Sequence, residues 1–149
     1  MLIKNADKKD LDKILEIAKE LKDWFNETAI QNMKNDFIIN NTLVAVDKEP
    51  IAFICYSSFE GAIKILWLGT KKQYQGKGIG TKLINDLENK AKKLGIKYLQ
   101  VETLTDKESY EPYKLTRDFY YKKGFKKICE IKAIKPGWDD QILLEKQIL

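Results

Sequence analysis

The sequence predicts a mixed α/β fold: a mostly antiparallel sheet of about seven strands flanked by helices. Two observations carry this. Three apolar, strand-like runs at 43–46, 51–56 and 63–70 follow one another across short turns, as in an antiparallel meander. The third run then passes through an amphipathic, helix-like stretch to another strand at 97–104, and such a crossover belongs to a sheet covered by helices.

The elements follow in order. Leu2 to Asn5 reads as a first strand. Asp7 is placed to cap a helix, with Asp10 in the capping-box position. Leu11, Ile14, Leu15, Ala18, Leu21 and Phe25 then recur at helical spacing, which predicts a helix over 8–25. A weaker helix over 28–36 would turn Ile30 and Met33 inward. The meander has turns at Asp47-Lys48-Glu49-Pro50 and Glu60-Gly61. A helix over 80–94 buries Leu83, Ile84, Leu87 and Ala91 and ends at Gly95. Residues 105–114 are polar and turn-rich, and 115–123 form a short helix ended by Gly124. Two final strands, 125–134 and 141–148, flank a Pro136-Gly137 turn.

A chain of 149 residues fits one domain spanning 1–149. At this size roughly 70% of the unfolded surface is buried, enough for a core with a cleft beside it. The net charge of +5 is nearly all lysine, and Arg117 is the only arginine. Such a surface favours anionic small molecules. No basic stripe with interleaved aromatics stands out, so nucleic acid is not the expected partner. No apolar stretch approaches the ~20 residues of a membrane span. Met1-Leu2-Ile3 runs directly into charged residues rather than a secretory signal, and Cys55 and Cys129 lie in apolar, strand-like surroundings. Buried free thiols and a cytoplasmic location are the expectation. The chain has no histidine, which removes imidazole catalysis and histidine-ligated metals, and no metal site is expected.

The most informative segment is Gln75-Gly76-Lys77-Gly78-Ile79-Gly80, between a strand and a helix. Glycine at every second position lets backbone N–H groups approach a ligand closely. The helix that follows points its free N–H groups and positive dipole end at the same place, which suits a phosphate. The Walker pattern is absent, since Gly76-Lys77-Gly78 lacks the required Ser or Thr. A dinucleotide fingerprint would need glycine where Thr81 stands.

With Tyr74 included, this loop resembles the cofactor loop of the GNAT acyltransferases, whose Arg or Gln, then Gly, then Gly or Ala places are here Gln75, Gly78 and Gly80. Phe119-Tyr120-Tyr121-Lys122-Lys123-Gly124-Phe125 resembles the aromatic-Tyr and Gly-Phe signature of the same superfamily, and the element order agrees over the whole chain. Residues 98–125 and Trp138-Asp139-Asp140 further resemble a bacterial branch of that superfamily.

The resemblance implies an N-acetyltransferase that uses acetyl-CoA as co-substrate and acetylates a primary amine of a small molecule or peptide by direct attack in a ternary complex. The alternative is a CoA-binding sensor or interaction module without turnover. It implies a splayed parallel pair, 63–70 with 97–104. The pyrophosphate would sit on Gln75, Gly76, Lys77, Gly78, Ile79, Gly80 and Thr81, with added charge from Lys77 and Lys82. The backbone of Leu68, Gly69 and Thr70 would hold the pantetheine arm and polarise the thioester carbonyl.

Tyr120 matches the family's general acid, against a plain packing role beside Phe119 and Phe125. The family often places a carboxylate base on the strand before the loop; here that strand's only charge is Lys64, so Glu102 is the first candidate and Glu60 and Glu27 follow. Where the family often has an asparagine toward the cofactor, Tyr113 stands, and Arg117 is assigned as a compensating contact to a phosphate or acceptor carboxylate. The competing role for Arg117 is an ion pair with Asp118 or Glu111. Trp24, Phe25, Tyr110 and Tyr113 suggest a partly aromatic acceptor pocket, and a homodimer is compatible with the family.

Overall fold

The computed structural model describes residues 1–149. In chain order it contains β1 (Leu2–Asn5), α1 (Lys8–Glu20), α2 (Glu27–Ile39), β2 (Asn41–Asp47), β3 (Glu49–Phe59), β4 (Ala62–Thr70), α3 (Ile79–Lys93), β5 (Tyr98–Leu104), α4 (Glu111–Lys122), β6 (Lys126–Ile131) and β7 (Gln141–Gln147). One 7-stranded sheet runs β1-β2-β3-β4-β5-β7-β6. Every neighbouring pair is antiparallel except β4 with β5. No helix is long and apolar enough to cross a membrane.

The capping box forms as its sequence requires: Asp10 N–H donates to Asp7 and Asp7 N–H to Asp10, each at 2.9 Å. The helix stops earlier than its apolar spacing predicts, at Glu20, and Leu21 leaves helical geometry at φ −89 and ψ 57. The reason lies beyond the helix. Phe25 packs edge-on against Trp67, and the Trp24 indole N–H reaches the carbonyl of Pro112, so the chain must turn away to place both rings. Conversely, α4 starts at Glu111, ahead of the expected 115, with Pro112 in its first turn. Proline is tolerated there because its missing N–H would have no helical acceptor.

Two cores form on opposite faces of the sheet. Strand β3 serves both by alternation from Phe53 to Tyr56: Ile54 and Tyr56 join the core under α3, whereas Phe53 and Cys55 join the one under α1 and α2. Strand β4 breaks this alternation. Tyr56 pairs with Ile65 and Cys55 with Trp67, leaving Leu66 as the extra residue of a β-bulge. Ile63 and Ile65 face α3; after the bulge Leu66 and Trp67 both pack toward α1 and α2, and Leu68 returns to the α3 side. Without the bulge, period-two alternation would carry Trp67 to the α3 face.

The bulge also opens the sheet. Parallel pairing of β4 with β5 runs from Ala62↔Tyr98 to Ile65↔Val101 and goes no further. Strand β5 stays with β7 to the end, Leu104↔Gln141, while β4 stays with β3 to Thr70↔Ala52. The two strands therefore diverge from Leu66 onward, held apart by their outer partners.

The two thiols differ, which corrects the expectation that both are buried. Cys55 lies in the core, but Cys129 is exposed. It sits on β6, the edge strand, five of whose six residues are exposed.

Candidate functional site

A cavity of about 720 Å³ occupies the space where β4 and β5 part. The residues from Gln75 to Thr81, apart from Lys77, line one end, and Thr116, Phe119 and Tyr120 of α4 lie beside it. Trp24, Phe25, Ala29 and Trp67 line the end toward α1 and α2. The cleft thus connects the two faces of the sheet through the splay.

The loop is built by its glycines. Gly76 and Gly78 have φ of 76 and 79, the left-handed region where only glycine is unstrained. Gly78 immediately precedes α3 and caps it without a side-chain hydrogen bond. Gly80 serves differently: a Cβ there would stand 3.4 Å from the Phe119 ring, so it lets α3 approach α4 closely. Gln75 anchors the loop to its strand, donating from Nε2 to the Thr70 carbonyl at 3.0 Å.

The result is a run of unpaired donors. The first helical bond of α3 is Lys82 N–H to Gly78 O, and none of the backbone N–H groups from Gly76 to Thr81 finds an acceptor in the chain. Six consecutive free amides at a helix N-terminus, in a loop with no acidic residue, fit a pyrophosphate by charge and by donor count. Leu68, Gly69 and Thr70 line the adjoining wall. Beyond the bulge this stretch has no strand on its β5 side, so the backbone groups directed there are open to the cleft.

Tyr120 is both a core residue and a wall of the cavity. It is only 2% exposed, and its ring sits edge-on to Phe119 at 5.3 Å and to Phe125 at 5.2 Å. Burial pushes its hydroxyl well above the usual tyrosine range, so it carries its proton throughout the neutral range.

The sequence pattern of the acetyltransferase (GNAT) domain matches residues 39–127. The chain belongs to the GNAT acetyltransferase family. Solved structures agree on the fold. A GNAT-family protein from Desulfovibrio desulfuricans superposes with a TM-score of 0.82 at 19% identity, covering 99% of this chain and 100% of that one. The ribosomal-protein-S18-alanine N-acetyltransferase from Escherichia coli gives a TM-score of 0.77 at 17% identity, with 99% and 93% covered. An aminoglycoside 6'-N-acetyltransferase complexed with coenzyme A gives 0.75 at 18%, with 100% and 98% covered. A search of curated protein sequences finds no match. Acetyl-CoA-dependent acyl transfer is therefore the general activity class of this GNAT chain.

Other residues of this GNAT site fall less simply. Glu102 on β5 lines the cavity and is held by Lys64 Nζ at 2.8 Å. The register Lys64↔Gln100 places Lys64 diagonally beside Glu102 on the α1 and α2 face, a pairing between strands that no local pattern announces. Glu60 sits in the β3–β4 turn at φ 50 and Glu27 opens α2. Neither lines the cavity, so neither is placed to take a proton there. Lys77 also lies off the cavity wall, its Nζ 5.4 Å from the Tyr74 ring centroid.

Arg117 overturns both of its expected roles. It is 5% exposed and absent from the cavity wall. Its guanidinium donates to the carbonyls of Leu104 at 3.2 Å, Thr105 at 3.2 Å and Glu108 at 3.0 Å. Asp118 pairs with Lys114 instead. The arginine clamps the β5–α4 connection through three carbonyls at and beyond the end of β5, and a buried cation needs such partners.

Tyr113, standing where the family often has asparagine, donates from its hydroxyl to the carbonyl of Trp24. Tyr110 donates to the carbonyl of Asp23 at 2.8 Å, and the Trp24 indole returns a bond to Pro112 at 3.1 Å. These three bonds tie the α1–α2 loop to the start of α4 along the cavity's edge. Trp67 is fixed by its own indole N–H donating to Asp36 at 2.8 Å. Sequence reasoning missed Trp67 as a wall residue; a tryptophan in a strand otherwise facing α3 is the signal that the bulge hides. Thr103, also on the wall, has a buried hydroxyl without a partner.

Proposed function

We propose that this protein transfers an acetyl group from acetyl-CoA to a primary amine by direct attack, with both substrates bound at once. The run of free amides from Gly76 to Thr81 at the mouth of a cleft that passes through the sheet carries this reading. Acetyl-CoA supplies the thioester. The amides of Gly76 to Thr81 would hold its pyrophosphate, and the open backbone of Leu68 to Thr70 would align the arm and polarise the carbonyl. An amine entering from the Trp24 and Trp67 side would meet the carbonyl from the opposite face of the sheet.

Tyr120 would protonate the departing thiolate; a hydroxyl kept neutral by burial holds the required proton at every working pH. Glu102 would receive the proton lost by the amine, directly or through water, after exchanging Lys64 for the incoming ammonium. A cysteine nucleophile is disfavoured because burial raises the Cys55 thiol to about 11 and neither cysteine lines the cavity.

The test is a thermal-shift and thiol-release pair. Acetyl-CoA at 100 times its dissociation constant should add about 2.7 kcal/mol of stability, and amines should then release CoA thiol. Silence with both acetyl-CoA and CoA sinks the reading. Tight binding without thiol release from any amine would make the protein a CoA-binding module instead.

A further inference from the structure

We infer that the acceptor is a monoamine on an aromatic or apolar body, and that the cavity discriminates against polycations. This rests on the acetyltransferase reading and narrows its substrate. Among the residues lining the cavity only Lys64 and Glu102 are charged, and they are paired with each other at 2.8 Å. A polyamine or aminoglycoside brings several ammonium groups, and each one taken from water needs a carboxylate or equivalent partner. The cavity has one carboxylate, already balanced. The overall charge of +5 acts in the same direction by repelling polycations on approach.

What the acceptor end does present is aromatic surface. Phe25 and Trp67 meet edge to face with centroids 5.8 Å apart. The Trp67 indole N–H is spent on Asp36 and the Trp24 indole N–H on the Pro112 carbonyl. Neither indole therefore has a free donor for a ligand, and both offer the cavity aromatic ring surface. Trp24 is further held in place through Tyr113 and the backbone of its own loop, so little ordering is left for a ligand to impose. Such walls suit a single ammonium on a flat apolar body, with the charge near Glu102 and the body against the rings.

The experiment uses the full chain carrying Trp138→Phe, because Trp138 is exposed and outside the cavity, leaving Trp24 and Trp67 to report by fluorescence. 2-Phenylethylamine, spermidine and kanamycin are titrated without acetyl-CoA, and thiol release is followed separately with it. The expected result is binding of 2-phenylethylamine at least about ten-fold tighter than either polycation, with kcat/KM ordered the same way. Phe25→Ala and the milder Phe25→Leu should raise the 2-phenylethylamine KM and leave acetyl-CoA affinity unchanged. Equal or better binding of spermidine or kanamycin, or no fluorescence response to any amine, overturns the inference. Failure of acetyl-CoA to bind removes the acetyltransferase reading and with it the amine's role as acceptor, while the fluorescence titration separately upholds or overturns the cavity's preference for a monoamine.

Discussion

Replacing Gly78 by alanine separates the loop's binding role from its conformational one. The residue sits at φ 79 and ψ 12, and an added Cβ would meet nothing within 4 Å. The cost to the free protein is therefore backbone strain without a clash, about 1–2 kcal/mol for an L-residue held left-handed. The loop can relieve that strain only by rotating the peptides on either side of residue 78, which turns away amides of the free run from Gly76 to Thr81. Loss of one hydrogen bond to a charged phosphate costs about 1.5–3 kcal/mol, or roughly ten- to 150-fold in dissociation constant. Gly61→Ala is the matched control. It has the same φ of 79 and the same empty surroundings, but lies at the β3–β4 turn, the far end of β4 from the loop. Titration calorimetry with acetyl-CoA should show weaker binding for Gly78→Ala and unchanged binding for Gly61→Ala, with similar losses in urea midpoint. Equal acetyl-CoA affinity in the two variants would refute the cradle.

Three further outcomes are expected. Tyr120→Phe should lower kcat about 10²-fold or more while acetyl-CoA affinity holds; because burial raises this hydroxyl's pKa, wild-type activity should show no alkaline loss from it until pH passes the ordinary tyrosine value of 10.0. By the same sign, its contribution to stability is complete below that pH and is lost as pH climbs above it. A thiol reagent at pH 8 should modify Cys129 quickly and Cys55 only after denaturation, since the latter is buried with its thiol pushed up to about 11; rapid reaction of both would contradict the packing under α1 and α2. Gly69→Ala should lower stability by about 1–3 kcal/mol in urea unfolding, because its Cβ would lie 2.8 Å from the Phe53 ring and 3.2 Å from Leu21 Cδ1.

Much of this fold is legible because its signals are local. The Asp7 and Asp10 box, the inward stripe Leu83, Ile84, Leu87 and Ala91, and the alternating faces of β3 all arise from residues close in sequence. The same holds for the loop, where glycine at 76 and 78 permits the left-handed turns without strain. Helix ends were less legible. The apolar spacing runs through to Phe25, but the demand for Phe25 and Trp24 lies on Trp67 and Pro112, far away in the chain.

The sequence by itself determined the mixed sheet, the order of its elements, the phosphate-suited loop and the place of Tyr120 on the helix behind it. Tertiary structure alone decided what several polar and ionisable groups near the site and the sheet edge do. Arg117 spends its charge on three carbonyls, Lys64 meets Glu102, Cys129 reaches solvent, and Tyr113 ties down Trp24. Each of these depends on strand register, sheet edge or helix docking. One extra residue, Leu66, sets much of that register: it turns Trp67 to the acceptor side and parts β4 from β5, and no local preference of leucine encodes a bulge.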